Sequence, residues 1–308
     1  AVCMMAGTAS LPHVMMRYFT TPSVKAARRS VGWSLFFIFL LYSSAPMLAT
    51  LSKLSLMDPN LPTGIIGKSI ADVQAIDWYQ NWNQANLMFV SDFNGNGTLE
   101  LNEFFMGGKA VVLATPEVAG LPYVISGLVA AGGMAAAMST ADGLVLAISN
   151  ALSHDIYYKM INPKAETAKR LIVARVLLVI IGFAGATIAA LEIQGILGSV
   201  IWAFDFAMSG LFFPLVLGVW WKRANAQGAV AGMLLGLISG SAYLIWVRNG
   251  GAGFWGVTQL TFGIVGSLVS LVSMIVVSLI TKAPDSATQK MVDEVRVPSG
   301  KTVLGKQH

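Results

Sequence analysis

Two groups of residues in this chain have the types and spacing for cation chemistry, and both offer oxygen donors. The first is Asp92-Phe93-Asn94-Gly95-Asn96-Gly97-Thr98-Leu99-Glu100-Leu101-Asn102-Glu103. It fits the calcium loop of an EF-hand at each diagnostic position. Asp92, Asn94 and Asn96 supply the early oxygens, and Gly97 stands where the chain must turn sharply. Thr98 gives its backbone carbonyl, Glu100 acts directly or through water, and Glu103 closes the shell with both oxygens. Calcium takes roughly six to eight hard oxygens, and this spacing folds them around one point. A bare Asn-Gly-Asn-Gly run would be only a turn; the full pattern specifies a cation. Three formal negative charges and two neutral Asn place the affinity near the ~10⁻⁴–10⁻³ M of extracellular modules, and a loop without a paired partner reads as a structural clip, not a sensor.

The second group is Ser139-Thr140-Ala141-Asp142, inside a run of apolar and small residues. Gly132, Ala136 and Thr140 recur every four residues, with Gly133, Ala137 and Ala141 beside them. That spacing reads on its own as a face for close helix packing. The hydroxyl pair with backbone carbonyls would also suit Na⁺, and an intramembrane carboxylate such as Asp142 reads by default as functional. Asp205, in Ala203-Phe204-Asp205-Phe206, is the second such acid. It either faces an aqueous path or lies solvated near the outer interface. Two membrane acids could also suggest an intramembrane aspartyl protease, but nothing else supports one. His13, after Pro12, reads either as a ligand or as a hydrogen-bonded packing residue. Ser153-His154-Asp155 reads as a polar helix end, with no nucleophile motif beside it. Cys3 and the methionines read as core or lipid-facing filler.

The elements that must position these groups are membrane helices. The 308 residues are 55% hydrophobic and only 11% charged, with mean hydropathy +0.67. Soluble domains carry about 25% charge, so a soluble enzyme is excluded, as is a disordered chain. The single cysteine excludes an internal disulfide framework and a Cys-based metal site. A spanning helix needs about 20 mostly apolar residues, and six stretches supply them: Val31–Leu51, Tyr123–Leu152, Leu171–Leu191, Leu197–Trp221, Gly228–Val247 and Gly256–Ile280. Ala1–Phe19, interrupted by Gly7 and Pro12, reads as a discontinuous helix. It has neither the basic start nor the small-residue cleavage site of a signal peptide, so the sequence is expected to continue a longer polypeptide. The long uniform runs are not the alternating segments of a membrane barrel.

Sixteen of the 20 basic residues fall on one side of this seven-segment arrangement, among them Arg17, Arg28, Lys159, Arg170 and Lys222. Lys53, Lys68, Lys109 and Arg248 fall on the other. The positive-inside rule then puts the C-terminus in the cytoplasm and the long loop Ser52–Glu117 outside. The basic excess is a topology signal and does not indicate a nucleic-acid partner. The outer loop is expected to hold an amphipathic helix, Ile70–Phe89, with Trp78, Tyr79 and Trp82 suited to the interface. Residues 1–281 thus form the membrane region. Residues 282–308 are expected to be an irregular cytoplasmic tail near anionic head groups, without chemistry of its own.

Three segments carry a resemblance. Gly7-Thr8-Ala9-Ser10-Leu11-Pro12-His13 with Met16-Arg17, then Ala136–Leu144, then Phe213-Pro214-Leu215-Val216-Leu217-Gly218 with Trp221-Lys222-Arg223, resemble the sodium/solute symporter family. The closest branch is the bacterial cation/acetate (monocarboxylate) symporters, and the similarity runs to about residue 281. The resemblance implies an all-α polytopic membrane protein, the second inverted repeat of a LeuT-type five-plus-five fold plus extra C-terminal helices, in a bacterial inner membrane. Broken helices at the midplane then hold substrate and ion. By this analogy Na⁺ is the coupling ion, with H⁺ as the alternative, held by the Ser139 and Thr140 hydroxyls and the Ala136 carbonyl. Asp142 and Asp205 would belong to an ion or proton pathway, and Thr8, Ser10 and His13 would meet a small carboxylate. The first repeat, which would complete both sites, is absent from this sequence. A calcium-stabilised scaffold or accessory subunit without transport is the rival expectation.

Overall fold

The computed structural model describes residues 1–191, 193 and 195–296; the tail positions Val297, Pro298, Ser299, Gly300, Lys301, Lys306 and His308 lie outside the described residues. The chain divides into two compact units, one formed by Ala1–Arg28 with Ala141–His308, the other by Arg29–Thr140. Six helices are long and apolar enough to cross a membrane: Val24–Met57, Tyr123–Ile161, Thr167–Ala190, Ile196–Trp220, Ala226–Arg248 and Gly263–Ile280. The chain is a mostly helical, multi-pass membrane protein, as composition requires. The last span starts at Gly263 instead of Gly256, because Gly253–Val257 turns tightly through Trp255 at φ 50° before the helix begins.

In the first unit, α1 (Val2–Ser10) and α2 (Pro12–Met16) are separated at Leu11, which is extended at φ −69° and ψ 121°. Pro12 causes this break: it has no N–H to donate and it pushes the residue before it out of helical geometry. Gly7 is not part of the break. It lies within α1, where an added Cβ would come 2.5 Å from the Phe204 carbonyl oxygen, so glycine lets α1 approach α9 (Ile196–Ala207). The span containing α9 continues through a π-helical stretch, Met208–Phe212, into α10 (Phe213–Trp220).

The tightest packing is between α11 (Ala226–Arg248) and α12 (Gly263–Ile280). Gly228, Gly232, Gly236 and Gly240 form one buried stripe on α11, facing Ser270, Met274 and Ser278 of α12 and Ser209 of the π stretch. A Cβ on Gly236 would run into the Ser209 carbonyl oxygen and lie 2.8 Å from the Ser270 Cβ. Lipid supplies no hydrophobic drive between helices, so this close van der Waals fit is what holds the pair. Asn225 fastens the end of the pair where α11 begins and α12 finishes: the side chain accepts from the Gly228 N–H at 2.8 Å and donates to the Thr281 hydroxyl at 2.7 Å.

Among the described residues, the first part of the tail is helical where composition suggested irregular chain. A helix, Ser286–Arg296, begins where Asp285 accepts from the Thr288 N–H and hydroxyl, and Lys222 Nζ lies 2.7 Å from the Asp293 carboxylate.

The second unit contains most of α3 (Val24–Met57), the start of α7 (Tyr123–Asn150) and, between them, a small water-facing module. α7 continues through a π-helical run, Ala151–Ile161, and is followed by α8 (Thr167–Ala190). The module has its own core: Leu56, Ile65, Val73, Tyr79, Met88, Leu99, Ala110, Ala114 and Val118. The single helix expected over Ile70–Phe89 is instead α4 (Ile70–Gln74), α5 (Asp77–Gln84) and strand β1 (Met88–Val90), which pairs antiparallel with β2 (Phe104–Met106). The chain turns out of helix at Asn86, whose φ is 57°. α6 (Val111–Val118) closes the module, with Trp82 Nε1 donating to Glu117 Oε2 at 3.0 Å. The protein is therefore not purely α.

Candidate functional site

The calcium-type loop spans the β-hairpin, so strands enter and leave it where an EF-hand has helices. Its interior geometry follows from its residue types. Gly95 and Gly97 have φ of 74° and 69°, which L side chains rarely adopt. Asp92 Oδ1 accepts from the Gly95 N–H at 2.7 Å and Oδ2 from the Gly97 N–H at 3.0 Å, which wraps the loop around its first carboxylate. Asn94 and Asn96 repeat the pattern, accepting from the N–H groups of Asn96 and Thr98 at 2.9 and 2.7 Å. Both amide groups donate to Glu100 Oε1 at 3.0 Å. Glu103 is only 2% exposed and spans the loop, accepting from the Phe93 and Glu100 N–H groups at 2.9 and 3.0 Å.

The donor set is all oxygen, as a hard cation wants. No ion pair joins Asp92, Glu100 or Glu103 to a basic side chain among the described residues. Nor does any group of three or more His, Cys, Asp and Glu side chains stand ready to hold a metal ion among them. The carboxylates alone do not make a site, so a cation here would draw on the Asn94 and Asn96 amide oxygens and the Thr98 carbonyl as well.

In the membrane, Ser139 and Thr140 lie on exposed turns of α7, and Thr140 Oγ1 donates to the Ala136 carbonyl at 3.3 Å. That bond keeps the hydroxyl oxygen and the carbonyl side by side. The small residues of this stretch are open: an added Cβ on Gly132 would meet nothing within 4 Å. Asp142 is exposed too. The next residue, Gly143, lies against α2 and the residue that follows it: a Cβ there would come 3.7 Å from an Arg17 guanidinium nitrogen and 3.8 Å from His13 Cβ. Arg17, a cation beside the broken helix, was not among the substrate candidates, although its charge is what a carboxylate would seek.

Of those candidates, Thr8 and Ser10 spend their protons on their own helix. Thr8 Oγ1 donates to the Met4 carbonyl at 2.6 Å, and the buried Ser10 Oγ to the Ala6 carbonyl at 2.9 Å. His13 Nδ1 is buried without a hydrogen-bond partner.

Asp205 is fully buried, and neither carboxylate oxygen has a hydrogen-bond partner. In this structure it is not a solvated interfacial acid. Only its backbone carbonyl is engaged, accepting from Ser209 Oγ at 2.7 Å. His154 and Asp155, 3.0 Å apart, form a surface cluster with Lys159, consistent with a polar helix end.

Comparison with known proteins gives these features a family. Residues 108–236 match the model of the sodium:solute symporter family. An uncharacterized symporter of Cupriavidus necator is 40% identical, aligned over 96% of this chain and 44% of that protein. A monocarboxylic acid transporter of Corynebacterium glutamicum is 28% identical over 78% of this chain and 36% of its own length. The sodium/proline symporter of Escherichia coli is 29% identical over 55% of this chain and 32% of its own. The chain thus spans less than half the length of these curated relatives. Its six membrane-capable helices and these matches point one way: the chain is similar to the sodium:solute symporter family.

Proposed function

We propose that this chain is the C-terminal portion of a Na⁺-coupled secondary transporter, with H⁺ as the alternative coupling ion, that carries a small monocarboxylate such as acetate across a bacterial inner membrane. The observation that carries this reading is the Thr140 hydroxyl beside the Ala136 carbonyl, with Ser139 next in sequence on exposed turns of α7, in a chain related to a monocarboxylic acid transporter. Sodium prefers oxygen ligands, and α7 offers three on adjacent turns. Residues outside this chain, from a first repeat of a LeuT-type five-plus-five fold, complete the shell. The break at Leu11 supplies backbone without helical partners beside Thr8, Ser10 and His13, the kind of place where transporters bind substrate. Asp142 and Asp205 belong to the ion or proton pathway, and the tail is cytoplasmic.

The loop Asp92–Glu103 clamps the outer module with calcium when that ion is present. Asp92, Asn94, Asn96, Thr98, Glu100 and Glu103 hold it, and the ion supplies charge that balances three carboxylates.

The reading is tested by tracer uptake in proteoliposomes holding the full-length polypeptide. Inward sodium at fixed pH should drive acetate accumulation, and proline should compete poorly. Equal uptake with and without sodium or proton gradients would defeat coupling. Absent uptake from a correctly inserted protein would favour the scaffold reading.

A further inference from the structure

A carboxylate that is buried, unpaired and without hydrogen bonds cannot remain ionised in a membrane interior at reasonable cost. The desolvation penalty is several kcal/mol per ion even after relaxation, and such a group neutralises instead. Asp205 is fully buried on α9, and no well-formed hydrogen bond reaches either oxygen; the Cys3 thiol and the backbone N–H groups of Phe262 and Gly263 are the donors that face it. Gly263 closes it in: an added Cβ there would lie 2.9 Å from Oδ1 and from the Asp205 Cα. A metal ion needs a shell of oxygens and its own volume, and Gly263 leaves no room for one on that side. A proton needs neither. The neighbouring π-helical stretch Met208–Phe212 is of the kind often found at functional sites.

We propose that Asp205 is a proton-binding site. In the packed arrangement its carboxyl group carries the proton, and loss of that proton to water requires α1 and α12 to separate from α9.

The charge balance is simple: an O–H bond forms on one carboxyl oxygen with a proton drawn from water, and the same proton returns to water when the helices part. The surrounding elements offer a thiol and two backbone N–H groups, of Phe262 and Gly263, but no second carboxylate. On α1 the titratable side chain is Cys3, which faces Asp205 and whose Sγ also lies 3.9 Å from the Thr261 carbonyl oxygen. On α11 they are Tyr243, engaged with Val257 and Phe254, and Arg248, stacked on Trp202 at 5.5 Å. Neither α12 nor the π stretch contains an Asp, Glu, Lys, Arg or His. This inference rests on the transport reading only for the meaning of the proton as a coupling ion. The protonation itself is measurable without transport.

The chain contains a reporter, because Cys3 is its one cysteine and is buried on α1. The experiment uses the whole chain in lipid nanodiscs, with Asp205→Asn and Asp205→Ser for comparison. Infrared spectra at neutral pH should show the C=O band of a protonated carboxyl in the wild type, lost in both variants. As pH rises the band should fade, while maleimide labelling of Cys3 accelerates in the wild type relative to Asp205→Asn. The ratio of the two rates removes the pH dependence that both thiols share, leaving the effect of Asp205. An ionised Asp205 that stayed packed would slow the thiol, so a faster wild type reports opening. If Asp205→Asn fails to fold, the pH titration of the wild-type band and the Asp205→Ser difference carry the test. A spectrum without a carboxyl band dependent on Asp205 would overturn the proton site. A band that fades while the labelling ratio stays flat would overturn the opening.

Discussion

α7 and α11 carry the same small-residue spacing and have opposite surroundings. On α11, Gly228, Gly232, Gly236 and Gly240 are buried against α12 and the π stretch. On α7, Gly132, Ala136 and Thr140 are exposed, and a Cβ on Gly132 would touch nothing. Spacing every four residues licenses close approach between helices; it does not say which partner arrives. The α11 stripe contains only glycine and meets backbone, so it serves packing. The α7 stripe ends in hydroxyls beside a carbonyl, which gives it donors that packing alone would not use. The outer module differs from both, since water supplies the hydrophobic drive that lipid lacks, and it builds a core of its own from nine buried residues.

The largest effect should come from Gly236→Val. Its methyls would collide with the Ser209 carbonyl and the Ser270 side chain, and overpacking of this kind costs on the order of 3 kcal/mol. Thermal unfolding in detergent should drop by several degrees, and an unchanged melting curve would mean that α11 and α12 are not locked as described. Calcium should come next. At ten times its dissociation constant, binding to the folded loop stabilises by about 1.4 kcal/mol. Wild-type protein titrated with calcium should gain that, and Glu103→Gln should gain nothing. Equal gains in both would remove Glu103 from the site. Gly132→Val sharpens the helix comparison directly, because an open position should shift stability by no more than about 0.5 kcal/mol. A loss as large as that at Gly236 would show α7 to be packed, not open.

The smallest effect concerns the tail helix. Hydrogen bonds from the Thr288 side chain and N–H hold the Asp285 carboxyl below its usual range. A lowered folded-state value contributes order that is complete above the unfolded value of about 3.9 and is lost as pH falls through the folded one. The Thr288 amide, which donates to Asp285 at 3.2 Å, should therefore exchange faster below about pH 4 than its base rate predicts. In Asp285→Asn that extra acid dependence should vanish.

The sequence was most legible where a single segment carries the whole signal. The sharp turns at Gly95 and Gly97 could be read because the Asn-Gly pairs that make them lie side by side in the sequence. The break before Pro12 follows from proline's missing N–H, and the spans follow from apolar length. What escaped depends on meetings between distant segments. The Asp205 environment is set by Gly263 and α1, far away in sequence, so neither reading of it anticipated burial without a partner. The glycine stripe on α11 takes its meaning from Ser209, Ser270 and Met274, which sequence spacing does not bring to it. Strands of three residues at Met88–Val90 and Phe104–Met106 are too short to show a period, and they form because the loop between them brings their ends together. The tail helix was hidden by its proline and charges, although Asp285 with Thr288 three residues on is a helix-start pattern.

The most direct measurement is the sodium dependence of acetate uptake by the full-length polypeptide carrying Ser139→Ala with Thr140→Ala. Each hydroxyl offers a charge-assisted contact of about 1.5–3 kcal/mol, and 1.4 kcal/mol corresponds to roughly tenfold in affinity. The half-saturating sodium concentration should therefore rise by at least about tenfold, with expression and melting unchanged because these side chains face away from the packed core. An unchanged sodium requirement would contradict the assignment of α7 as the ion-binding helix.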